Sequence, residues 1–170
     1  MFVLGIDPGL TRCGFGLVEG TIEGPETFRA VSAGVLTSPH TDAVERRLSS
    51  LLRDLRGLLE EFRPDVVIVE RVFFQKNAKT AQGVAQASGV AIALAGDFGI
   101  PVRQFTAQEA KLAVTGYGAA SKSQMQAMVA RVCGLADVPE PADAADALGL
   151  ALTYLMTERV ERRYATGTPA

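Results

Sequence analysis

Cysteine and histidine are nearly missing from this chain. Its 170 residues hold two cysteines, Cys13 and Cys133, and one histidine, His40. Two cysteines build neither a disulfide framework nor a four-ligand zinc site, which fits a reducing compartment. One histidine excludes a histidine-rich metal centre. A basic excess is also missing. Lys and Arg number 17 against 19 Asp and Glu, a formal net charge of -2, so the global charge does not announce a nucleic-acid binder. Long apolar runs are lacking too. Of the longest uncharged stretches, Thr80–Gly96 and Ala147–Thr157, the first carries Gln82, Gln86, Gly83, Gly89 and Gly96, and reads poorly as a membrane span. The opening Met1–Asp7 has neither the basic start nor the apolar length of a signal peptide. The expectation is a soluble, cytoplasmic protein without a membrane partner.

What is present describes an ordinary globular chain, with 48% hydrophobic and 21% charged residues. The length suits a single domain, since chains of roughly 100–200 residues usually fold as one unit. Phe2–Ile6 reads as a strand ended by Asp7-Pro8-Gly9. Gly14–Val18 and Phe28–Leu36 are two more strands, and three in succession suggest an antiparallel meander. Thr41–Phe62 repeats apolar residues at helical spacing, from Val44 through Leu48, Leu51, Leu52, Leu55, Leu58 and Leu59 to Phe62. Val66–Val69 has no polar alternation, as in a strand buried on both faces. Asn77–Asp97 is an Ala- and Gly-rich helix, and Pro101–Phe105 a short strand. Thr106–Glu109 and Ser121–Gln124 match the capping box and start two helices. Pro141–Met156 is the last helix, and from Arg159 the sequence turns polar and is expected to fray. The order β-β-β-α-β-α-β-α-α-α predicts an α/β fold with a mixed sheet flanked by helices. The domain is placed at residues 1–158, with a flexible tail over 159–170.

Four acids occupy positions where carboxylates need a reason. Asp7 and Glu70 end two strands, and ligands of α/β sheets gather at the carboxyl ends of strands. Asp143 and Asp146 lie three apart at the start of the last helix, on one face. Ala144, Ala145, Ala147 and Leu148 surround Asp146, and a carboxylate buried among them requires a cation or a hydrogen-bonding partner. Plainer roles exist singly: Asp7-Pro8-Gly9 also serves as a turn, and Asp143 also suits a helix dipole. Together the four read as a divalent-cation site. Carboxylates alone suit magnesium or manganese rather than zinc. Two such ions, about 3.5–4 Å apart, activate water and stabilise the leaving oxygen of a phosphodiester. An acid-only site of this kind supports a nuclease.

Charge is uneven along the chain. From Arg71 to Arg131 there are seven basic residues, Arg71, Lys76, Lys79, Arg103, Lys111, Lys122 and Arg131, against Asp97 and Glu109, a net of +5. Val132–Glu158 carries five acids and no base, a net of -5. A basic stretch beside an acid site can hold phosphates, although solvated helix faces would read the same way. Phe73 and Phe74 follow Glu70 directly. One of them can stack on bases, or both can serve a core or an interface.

Leu4–Gly9, Glu70–Phe73, Lys76-Asn77 and Asp143–Leu148 together resemble the RuvC family of Holliday junction resolvases. The resemblance runs from about Phe2 to Thr157 in order and spacing. It implies a ribonuclease-H-like fold with a five-stranded mixed sheet. It also implies a homodimer that nicks two strands of like polarity at symmetric positions of a four-way DNA junction, in recombination and repair. On this resemblance Asp7, Glu70, Asp143 and Asp146 are the catalytic, metal-binding acids; some relatives have histidine where this chain has Asp143. Lys111 and Lys122 match lysines that contact DNA near the scissile site, Phe73 matches the aromatic that engages junction bases, and Lys76 falls in the same DNA-binding set. Two magnesium ions per site are implied, with manganese able to substitute, Asp7 bridging them and a 5′ phosphate left at a ligatable nick. The branch-migration complex RuvA/RuvB is an expected partner. The Asn77–Asp97 helix is expected either in the dimer interface or buried against the sheet. A ribonuclease H, a non-catalytic junction scaffold and an actin-like fragment are the competing readings; the intact acid quartet opposes the scaffold, and 170 residues are too few for a two-domain actin-like protein.

Overall fold

The computed structural model describes residues 1–71 and 78–166. In chain order they form β1 (Phe2–Asp7), β2 (Arg12–Gly20), β3 (Phe28–Thr37), α1 (Val44–Phe62), β4 (Val66–Glu70), α2 (Ala78–Asp97), β5 (Val102–Phe105), α3 (Ala107–Thr115), α4 (Lys122–Val132) and α5 (Ala142–Thr166). This is the expected α/β order. The five strands make one sheet in the order β3-β2-β1-β4-β5. β1, β2 and β3 form the antiparallel meander, while β4 lies parallel to both β1 and β5, so the sheet is mixed.

Strand periodicity divides the core in two. Val3, Val18, Val66 and Ile68 face α3, α4 and α5 together with Leu148, Leu152 and Leu155. Leu4, Ile6, Leu17, Val67 and Val69 face the opposite layer with Leu51, Leu55, Leu59, Ala87 and Leu94 of α1 and α2. Central strands sandwiched in this way need apolar residues at every position, which explains the uninterrupted Val66–Val69 run. Cys13 and Cys133 are free thiols buried as small apolar groups, one in each layer. In α1 the buried stripe is Leu51, Leu55 and Leu59, whereas Val44 and Leu52, apolar in the sequence pattern, are exposed.

α5 extends beyond its expected end. The polar stretch from Arg159, expected to fray, continues as helix to Thr166. Arg159 is 6% exposed, and its guanidinium donates to the carbonyls of Thr21 at 2.9 Å and Gly24 at 3.0 Å. Two charge-assisted hydrogen bonds to the β2–β3 turn offset the desolvation of the cation and hold this turn of helix against the sheet. No described helix is long and apolar enough to cross a membrane.

Candidate active site

The alternation that builds the core also aims the acids. Asp7 shares its face of β1 with Val3, and Glu70 shares its face of β4 with Val66 and Ile68, so both carboxylates point towards α5. They stand one step beyond the paired Ile6 and Val69, at the carboxyl ends of two adjacent parallel strands. α5 completes the site from above. An added Cβ at Gly5 would meet the Ala147 carbonyl oxygen at 2.0 Å, and one at Gly14 would meet that of Asp143 at 2.2 Å. Side chains are therefore excluded under the first turns of α5, and its backbone lies directly on β1 and β2. This close seat brings Asp143 and Asp146 down to Asp7.

Carboxylate oxygens of Asp7, Asp143 and Asp146 all lie within 4.8 Å of one another. All three residues are half-buried. Glu70 joins the group through Asp7. Burial pushes Asp7 up to about 8, helped by the charge of Glu70, a hydrogen bond to Glu70, and the charges of Asp146 and Asp143. Glu70 is also raised, mainly by burial and by Asp146, while the hydrogen bond from Asp7 and the charge of Lys122 oppose the rise. Crowded like charges thus push the two strand-end acids towards sharing a proton. An all-oxygen donor set, clustered closely enough to repel itself, fits a hard divalent cation.

Two cations of the chain already meet the cluster. Lys122 Nζ lies 2.6 Å from Asp146 Oδ2, and this hydrogen bond raises the lysine further, so it stays charged. Its position follows from local sequence. Ser121 caps α4 by accepting from the Gln124 amide, and the Gln124 side chain accepts in return from the Ser121 amide, which makes Lys122 the first helical residue. Arg12, which opens β2, donates from Nε to Asp143 Oδ2 at 2.7 Å. The loop between Asp7 and Arg12 is pinned independently. Ser38 donates through Oγ to the Leu10 carbonyl at 2.6 Å, and Arg47 donates to Ser38 Oγ at 3.0 Å and Thr11 Oγ1 at 2.6 Å.

Of the residues singled out in the sequence, the structure gathers Asp7, Glu70, Asp143, Asp146 and Lys122. Lys111 stands on α3, half-buried, with no ion-pair partner among the described residues. Phe73 and Lys76, with Phe74 and Asn77, lie outside the described residues. Sequence reasoning missed Arg12, Ser38, Arg47, Gly5 and Gly14. For the glycines a signal existed, since Gly5, Gly14 and Gly16 interrupt otherwise apolar strands, a mark of close backbone approach.

Comparison with known proteins agrees with this geometry. Residues 3–154 match the family model described as crossover junction endodeoxyribonuclease RuvC. A Salinispora arenicola protein named crossover junction endodeoxyribonuclease RuvC is 52% identical over 165 residues, covering 97% of this chain and 93% of its own length. A Frankia alni protein of the same name is 48% identical, covering 100% of this chain and 85% of its own. The structure of Thermus thermophilus RuvC in complex with Holliday junction substrate superposes with a TM-score of 0.88 at 32% identity, covering 95% of this chain and 96% of that one.

Proposed function

The chain belongs to the RuvC family of crossover junction endodeoxyribonucleases, and on that premise we propose that it resolves four-way DNA junctions by paired, symmetric nicking. The observation that carries the reading is the carboxylate cluster of Asp7, Asp143 and Asp146, with Glu70 bonded to Asp7, at the open end of a five-stranded mixed sheet. So many clustered acids would repel a bare DNA backbone, whereas a metal-dependent phosphodiesterase requires them.

Asp7, Glu70, Asp143 and Asp146 hold the cations, for which magnesium is the proposed identity, two per site, with manganese as a substitute. Bound there, the cations supply activation of water and neutralisation of charge on the phosphate. Asp7 and Glu70 release their shared proton as the site fills. Asp146 is oriented by Lys122, and the lysine is assigned to neutralising the negative charge that grows on the scissile phosphate. Lys111, on the neighbouring helix α3, is assigned to the DNA backbone, as are Phe73 and Lys76 to junction bases and phosphates. The nuclease unit is assigned to residues 1–166, through the end of α5. A homodimer in the cytoplasm acting with RuvA/RuvB completes the proposal. The dimer is supported by an exposed stripe of α2, Ala85, Gly89, Ala93 and Gly96, opposite the face buried by Ala87, Ala91 and Leu94.

The test is cleavage of a synthetic four-way junction with and without magnesium, beside linear duplex and RNA–DNA hybrid. Paired nicks in the junction alone, lost with chelator, are expected. Cleavage of the hybrid with the junction left intact would move the chain to ribonuclease H activity.

A further inference from the structure

Arg12 belongs to none of the sets assigned above, yet it touches the acid cluster. Its Nε donates to Asp143 Oδ2 at 2.7 Å, and Asp143 is one of three carboxylates with oxygens within 4.8 Å of one another. Lys122 stands in the same relation to Asp146, at 2.6 Å. Two of the three clustered aspartates therefore carry a cation built into the chain, contributed by β2 on one side and α4 on the other. Resting on the nuclease reading above, we propose that Arg12 is a positioning residue for Asp143: its guanidinium serves as counter-ion in the cation-free site and gives up Asp143 Oδ2 when a divalent cation binds.

An isolated ion pair this exposed would matter little, with the Arg12 side chain at 50% and Asp143 at 27% exposure. Arg12 is not isolated. Asp7 and Asp146 offer carboxylate oxygens within 4.8 Å of that of Asp143, so the guanidinium competes for the same acid cluster that attracts a divalent ion. It also has space to leave. Arg12 lines an open cavity of about 420 Å³ together with Thr11, Arg47, Gln82 and Gln86, on the side away from α4. A released guanidinium there stays in water at the edge of the acid cluster without crossing the core.

The experiment is calorimetric titration of manganese into the full chain without DNA, comparing wild type with Arg12→Gln, Arg12→Lys and Asp7→Asn, plus thermal melting in chelator. Removing the competing cation should tighten manganese binding by roughly fivefold. Arg12→Gln should also lower the melting temperature in chelator, where the acids lose their counter-ion, and raise the shift produced by manganese. Arg12→Lys keeps the charge and should stay near wild type on both measures. A residue that merely braced β2 would weaken manganese binding when removed, and unchanged or weaker binding by Arg12→Gln overturns the proposal. Asp7→Asn binding manganese as tightly as wild type overturns the acid site itself, a failure separate from that of Arg12.

Discussion

Asp7 holds its carboxyl where burial and three neighbouring acids oppose a charge, and its titration is the most consequential in the molecule. In the folded, cation-free protein it titrates near 8, against 3.8 for an ordinary aspartate. Between those values the folded form keeps a proton that the unfolded chain has released, so stability falls as pH rises. Glu70, raised in the same direction, adds to the slope. Melting in chelator should therefore give a lower midpoint at pH 8 than at pH 5.5, and a flat or rising profile would contradict the shared proton. Cation binding must expel that proton, so manganese affinity should climb over the same interval with proton release detectable in buffers of different ionisation enthalpy. Asp7→Asn separates the two demands on this residue. It should raise the chelator midpoint at pH 8 by the equivalent of about 0.5–2 kcal/mol, because a neutral amide replaces a crowded charge. The same variant should still shift a four-way junction in a gel while cleaving it more than about 100-fold more slowly. Retained cleavage would remove Asp7 from the mechanism.

At the scale of elements, the site depends on how α5 sits on the sheet. Gly14 lies under Asp143, and a Cβ there would be 2.2 Å from one backbone atom and 2.7 Å from the next. Backbone cannot rotate aside as a side chain can, so Gly14→Ala must lift α5 from β2. The expected cost is about 1–3 kcal/mol of stability, read by denaturant unfolding, with a parallel loss of manganese affinity as Asp143 and Asp146 move from Asp7. Gly57→Ala on α1 is the control, since its Cβ meets nothing within 4 Å and the change should stabilise the helix slightly. Affinity unchanged in Gly14→Ala would mean that α5 is not what sets the acid spacing. The same helix marks what could be read from the sequence and what could not. Local rules sufficed for the strands, the two capping boxes and the Asp143–Asp146 spacing, because each depends on residues a few positions apart. The extension of α5 was hidden because Arg159 finds its partners at Thr21 and Gly24, more than a hundred residues earlier in the chain. The Arg12–Asp143 pair was hidden in the same way, by a separation of 131 residues. Charge shows in composition; partners across the fold do not.

For the whole molecule, a net charge of -2 understates the field a nucleic acid would meet. Four of the acids gather in one cluster together with Arg12 and Lys122, so the -2 resides there and the remaining charges balance, with the basic Arg71–Arg131 stretch as the part that favours phosphate. One such cluster cuts one strand, and symmetric nicking of a junction calls for two clusters related by a two-fold axis. The exposed stripe of α2 is the surface on which that requirement can be tested cleanly. Gly89 sits in the middle of it, and a Cβ added there meets nothing within 4 Å inside the subunit. Gly89→Glu should therefore leave the protomer folded, and by helix propensity alone should strengthen α2 by about 0.5–1 kcal/mol. Across a two-fold axis the same change places two like charges in a close helix contact, where neither can be solvated. Sedimentation should then show wild type as a dimer and Gly89→Glu as a monomer at micromolar concentration, with circular dichroism unchanged. Manganese binding should survive, because the acid cluster is complete within one chain. On a junction, the variant should nick one strand at a time and lose the paired cut. A wild-type monomer that resolves junctions, or a Gly89→Glu dimer with paired nicking intact, would send the dimer contact elsewhere on the surface and leave the acid site as it is.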